Sequence, residues 1–167
     1  LEFVRNALAL VPDSQLVVLL MHIPLNNIGN RGELYRLIEN RRYTLSISGH
    51  THWHEHRFIT REDGWMGPEP HHHIVTVTAC GSWWTGAPNA AGIPHATMRD
   101  GAPNGYAIAS FNGRRATIDF KAAGSPPSHQ MNIFIPDNLT HANASTNWVH
   151  VNVFNGSERS TVEARFN

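Results

Sequence analysis

The chain is short of charge and nearly free of cysteine. Only 16% of its 167 residues are Asp, Glu, Lys or Arg, and thirteen basic residues balance thirteen acidic ones, so net charge is zero apart from histidine. No basic run is present, which removes the electrostatic footprint expected of a nucleic-acid or polybasic membrane binder. The single cysteine, Cys80, excludes an internal disulfide framework, and it reads as a packing residue. Compartment stays open, because larger secreted proteins need no disulfides. The longest apolar stretch, 16–21, is far too short to span a bilayer. There is no initiating methionine and no signal-peptide pattern. The chain opens in what reads as a helix already under way, so the expectation is a fragment cut at its N-terminus.

What is present is a 41% hydrophobic fraction, enough for a packed core, and polarity supplied largely by Gly, Pro, Asn, Ser and Thr. Leu1, Phe3, Val4, Leu8 and Leu10 form a helical stripe ended by Val11-Pro12-Asp13. The unalternating run Leu16 to Met21 predicts a strand buried on both faces. Gly32 to Glu39 suits a short amphipathic helix and Tyr43 to Ser48 a second strand. Helix, strand, helix, strand is the order of a layered α/β sheet.

Beyond His52 the pattern becomes mostly β. Strands are expected at 56–61, 74–79, 106–111 and 116–121, with Asn112-Gly113 as a hairpin turn between the last two. The long Gly/Pro/Trp loop from Gly81 to Gly105 exceeds the usual length for a structureless connection; such loops are usually functional or disordered, and its two tryptophans argue against disorder. Residues 124–130 form the best linker, and strand-like runs follow at 131–135, 148–154 and 161–166. The expected division is an α/β unit at 1–123, the linker, and an incomplete β-sandwich at 131–167, cut at its C-terminus.

Candidate chemistry concentrates in histidine. Gly49-His50-Thr51-His52 ends the second strand and His22 ends the first. Imidazole is the commonest metal ligand, and ligand sites in such sheets lie outside the carboxyl ends of strands. Gly49 is expected to supply the sharp turn. An isolated histidine such as His22 is more often structural, but its pairing with Gly-His-x-His favours a metal site. His54 and His56 continue an i, i+2 series and would share a face with His52, as residues behind the site or on the surface. His71-His72-His73 is a tempting metal tract. Consecutive strand residues point to opposite faces, so three adjacent histidines are read as mostly surface. In the long loop, Trp83, Trp84, His95, Arg99 and Asp100 are candidates for substrate contact. Arg99 could fork onto a phosphate and the tryptophans cover a leaving group. The alternative is that the tryptophans pack the loop down and Arg99 pairs locally with Asp100.

The segments VVLLMHIPL and LSISGHTHWHEHRF resemble the last two metal motifs of calcineurin-like metallophosphoesterases. The segment VTACGSWWTGAPNAAGIPHATMRDGAPNGYAIASFNG is similar to a bacterial subgroup with a characteristic C-terminal β domain. Together these resemblances cover nearly the whole chain. They imply the C-terminal half of a layered αββα sandwich, followed by the start of an all-β, immunoglobulin-like sandwich. They also imply two divalent or mixed-valence ions (Zn, Mn or Fe). His22 and His50 would hold one ion and His52 the other. The family's Asp-x-His, Gly-Asp-x-x-Asp and Gly-Asn-His-Asp/Glu motifs do not occur in these 167 residues, and the expectation places them upstream of Leu1.

By the same resemblance, the parent protein would hydrolyse a small phosphoester with metal-activated water, outside the cytoplasm, in the periplasm or secreted. The three histidines hold metal, with no catalytic residue beyond the ligands. The chain alone is expected to be inactive and to bind metal weakly. The competing expectation is a non-catalytic metal- or carbohydrate-binding β-rich module.

Overall fold

The computed structural model describes residues 1–77, 79–80, 83, 86–94, 97–138, 140 and 144–165. Helix α1 (Glu2–Ala9) turns Leu8 into the interior with Val4 against the same core. It closes ahead of Pro12, whose ring disfavours helical backbone in the residue before it. Strand β1 (Val17–Leu20) leads through a 3-10 turn (Leu25–Asn27) to helix α2 (Arg31–Ile38), which buries Leu34, Tyr35 and Ile38. Strand β2 (Thr44–Ser48) then returns parallel to β1, with Val17 opposite Thr44 and Leu20 opposite Ile47.

Strand β3 (Glu55–Ile59), a 3-10 turn (Arg61–Asp63) and strand β4 (His71–Val75) complete a four-stranded sheet in the order β1-β2-β4-β3. Strand β4 runs parallel to β2 and antiparallel to β3. Two boundaries differ from the sequence expectation for identifiable reasons. The strand expected to reach residue 61 stops at Ile59, because Thr60 and Asp63 form a reciprocal capping box that turns the chain. The next strand starts at His71 rather than Ile74, because Ile59 pairs with His71 across the turn.

Strand β1 is not buried on both faces. Val17, Leu19 and Met21 pack against the core of α1 and α2, while Leu20 is 77% exposed. Val18 and Leu20 line an apolar cleft with Ile47, Ala109 and Phe111. The helical core covers one face of β1, and the other borders this open cleft.

Strands β5 (Gly105–Asn112) and β6 (Arg115–Ala122) form a hairpin in full register. Gly113 takes the first central position of its loop with φ 60°, the sign a primed hairpin turn requires there. Strands β7 (Met131–Phe134) and β8 (His150–Val153) pair antiparallel as a separate two-stranded sheet. A second core of Val77, Met98, Ala102, Phe120, Ala122 and Phe154 joins the exit of β4, the hairpin and the segment after β8. Gln130 donates to the Phe120 carbonyl and Lys121 to that of Ser125, tying down residues between β6 and β7.

The strand expected at 161–166 is absent from described residues 161–165, which are exposed and irregular. After Asn155-Gly156 a turn at Ser157–Ser160 carries the chain toward β3 instead, where Arg159 sits 3.5 Å from the Phe58 ring centroid. Among the described residues no helix is long and apolar enough to cross a membrane.

Candidate metal centre and its surroundings

The parallel register of β1 and β2 brings His22 and His50 together. Paired positions are offset by 27 residues, and the ladder continues past both strands with the Gly49 N–H donating to the His22 carbonyl at 3.2 Å. His50, one residue further, faces His22 across the strand ends. Its Nδ1 lies 3.0 Å from His22 Nε2, with the rings edge to face at 70°. Both side chains are exposed. Here the contact is a direct N···N hydrogen bond; two imidazoles on one ion at about 2.0–2.1 Å hold their nitrogens roughly 3.0–3.4 Å apart, so the separation suits a shared ion once both rings turn their lone pairs toward it.

Backbone conformation marks the same place. The only positive-φ residues other than glycine among those described are His50 (φ 75°), His52 (φ 59°) and Trp83 (φ 69°). Such left-handed conformations cost of order 1–3 kcal/mol for residues with a Cβ and cluster at functional sites. The sharp turn expected of Gly49 is therefore made by the two histidines. Gly49 keeps a negative φ and has open space where a Cβ would stand.

His52 is not drawn to the His22–His50 pair. Its ring lies against Trp83, with centroids 4.3 Å apart. Among the described residues no three of His, Cys, Asp and Glu are grouped to hold a metal. Of the loop candidates, Trp84 and His95 lie outside the described residues. Trp83 is 74% exposed rather than packed down. The Arg99 guanidinium lies 5.3 Å from the Trp53 ring centroid. Asp100 is used on backbone: its carboxylate accepts from the N–H of His54 and of Ala102, and Asn152 donates to its carbonyl.

His54 is buried, and the desolvation lowers its pKa, partly opposed by the Asn155 hydrogen bond. Asn155 Oδ1 lies 2.7 Å from His54 Nε2 and 2.8 Å from His56 Nε2, while its Nδ2 donates to the Ile118 carbonyl. One asparagine thus ties β3, β6 and the segment after β8 together. The sequence marked Asn155-Gly156 only as a turn, and no local pattern pairs it with histidines about a hundred residues away.

The histidine tract at 71–73 is interior, contrary to the surface reading. His71 is 2% and His73 0% exposed. As the third strand of four, β4 is covered on both edges, and alternate residues face hydroxyls on β2. Thr44 Oγ1 lies 2.9 Å from His71 Nδ1. Ser46 Oγ lies 2.8 Å from His71 Nε2 and 2.7 Å from His73 Nδ1, and Ser48 Oγ is 3.0 Å from His73 Nε2. Burial, helped by mutual repulsion among the tract, lowers the pKa of His71 to about 3. Burial with the nearby Arg57 charge takes His73 to about 4. His72 faces the other way, stacked on Phe58 and within 2.9 Å of His56 Nδ1, and burial lowers it to about 4. The alternation Thr44, Ser46, Ser48 against His71, His73 was readable in the sequence once the two strands were paired.

Residues 72–167 match the family model described as the C terminal of calcineurin-like phosphoesterase. No curated protein and no solved structure matches the chain.

Proposed function

The chain belongs to the calcineurin-like phosphoesterase family through its C-terminal segment, and from that premise we propose that its strand-end histidines form part of the metal centre of a phosphoester hydrolase. The observation that carries the reading is the His22–His50 contact at 3.0 Å, formed by residues the parallel register delivers to the carboxyl ends of two strands. These histidines precede the matched segment, so the geometry adds support independent of the match.

His22 Nε2 and His50 Nδ1 would hold one ion. His52, which turns away to Trp83 in this arrangement, would serve a neighbouring ion after its ring rotates. A bound divalent pair supplies Lewis-acid polarisation of a phosphoryl group and a nucleophilic water at neutral pH. The chain's own part is to hold ligands at the rim of a rigid sheet and to cover the substrate. Trp83 over His52, and Arg99 near Trp53, put an aromatic face and a guanidinium on the loop beside the histidines. Trp84 and His95 belong to the same proposed cover. The layered αββα arrangement, the immunoglobulin-like character of the β7–β8 region and a site of action outside the cytoplasm are parts of the same proposal and rest on the resemblance.

Titration of the chain with Mn²⁺ or Zn²⁺ by calorimetry is expected to show weak binding that disappears in His22→Ala and His50→Ala. In the full-length protein the same variants should lose hydrolysis of p-nitrophenyl phosphate or its diester. Unchanged metal affinity in both variants, with hydrolysis intact, would overturn the assignment and favour a binding module.

A further inference from the structure

We propose that His73, buried beneath the metal-binding rim, is a positioning residue that locks the His22 loop and the His50 turn to each other. The inference rests on the reading of His22 and His50 as ligands, but His73 belongs to neither motif and touches neither histidine in the contacts above.

Its Nε2 is the meeting point of two segments. The Leu25 N–H, three residues after His22, donates to it at 3.4 Å, and Ser48 Oγ, two residues before His50, lies 3.0 Å away. The backbone donor fixes the tautomer. An N–H cannot face another N–H, so Nε2 carries the lone pair and Nδ1 carries the proton. Ser48 then donates its hydroxyl to the same single lone pair, as the shorter arm of a contact shared with Leu25, and His73 Nδ1–H donates to Ser46 Oγ. Ser46 passes its own hydroxyl hydrogen to His71 Nε2, and His71 Nδ1–H donates to Thr44 Oγ1. One amide hydrogen thereby sets the direction of five side chains.

The ring is fully buried in the central part of the sheet, so it cannot swing to follow either segment. A fixed acceptor shared by both limits how far His22 and His50 can separate. Groups bonded directly to metal ligands commonly govern affinity by about 10–100-fold, and His73, acting one step further out through these two segments, should fall at the lower end of that range. His71 is the internal control. It is comparably buried and also bonded at both ring nitrogens, but its hydrogen bonds go to Thr44 and Ser46, four or more residues from either ligand, and it lacks a backbone donor among the described residues.

The test compares three variants of the full chain by metal calorimetry and thermal unfolding. His71→Leu and His73→Leu should both lower Tm, since each leaves buried hydroxyls without a partner. Only His73→Leu should weaken Zn²⁺ or Mn²⁺ binding, by about tenfold or more. His73→Gln, whose amide oxygen can accept from Leu25 and Ser48, should restore much of that affinity while staying less stable than the parent sequence. In ¹⁵N spectra, His73 should report Nδ1–H, a readout available without metal. Equal loss of affinity in His71→Leu and His73→Leu, or none in either while the parent chain binds, would overturn the positioning role. Failure of the parent chain to bind metal would instead sink the ligand assignment itself.

Discussion

The histidines of this chain live under two opposite regimes, and the contrast separates stability from function. His71 and His73 sit in regular strand, fully buried, neutral, with hydroxyl partners at both ring nitrogens. His22 and His50 sit at the rim, exposed, meeting each other across strand ends, and His50 holds a strained backbone. A buried polar group that is fully satisfied specifies register and core. An exposed imidazole held at φ 75° carries strain without burial, which is what the proposed ligand role would account for.

Acid gives the sharpest break between the two groups. The folded pKa values of His71 and His73 lie near 3 and 4, below the roughly 6.5 of an unfolded histidine. The unfolded chain therefore takes up protons first as pH falls. Their contribution is fully present above about pH 6.5 and is lost progressively down to pH 3–4. Between pH 7.5 and pH 5 each should lose about 2 kcal/mol, about 4 kcal/mol together, enough to lower Tm by roughly 10 °C in a domain of this size. The loss should shrink strongly in a His71→Leu/His73→Leu background, leaving the part due to His72, which burial also lowers to about 4, and to His54. A melting curve flat across that range would show that the ladder is open to water.

Ser46→Ala is the next largest. Its hydroxyl bonds to both rings of the ladder, and its removal strands one buried acceptor and one buried donor. The expected cost is about 2–4 kcal/mol, read as a lower urea midpoint at unchanged slope. A loss below about 0.5 kcal/mol would mean that the rings re-pair without it.

How much of this was legible beforehand differs between the two groups for physical reasons. The rim pair was readable because strand ends and the Gly-His-x-His spacing are local, and parallel pairing needed only one helix between strands. The helices α1 and α2, the strands β1 and β2, and the hairpin at Asn112-Gly113 were legible on the same ground. The interior ladder was not. His71-His72-His73 follows a Gly/Pro-rich turn and looks like an exposed tract; only pairing with Thr44, Ser46 and Ser48, chosen by tertiary register, makes it core. Asn155 was hidden for the same reason, since its partners His54 and His56 lie far upstream.

The smallest expected effect is also the most discriminating. In His50→Gly the left-handed turn is kept by a residue with no Cβ penalty, which relieves about 1–2 kcal/mol of strain, while glycine's freedom in the unfolded chain takes back roughly 0.5–1 kcal/mol. Stability should stay level or rise by up to about 1.5 kcal/mol, even as affinity for Zn²⁺ or Mn²⁺ falls away. Gain of stability with loss of binding is the signature of a residue kept for its ligand, and no member of the ladder can show it. If His50→Gly instead lowered the urea midpoint as Ser46→Ala does, His50 would belong with the structural histidines and the division between rim and interior would fail.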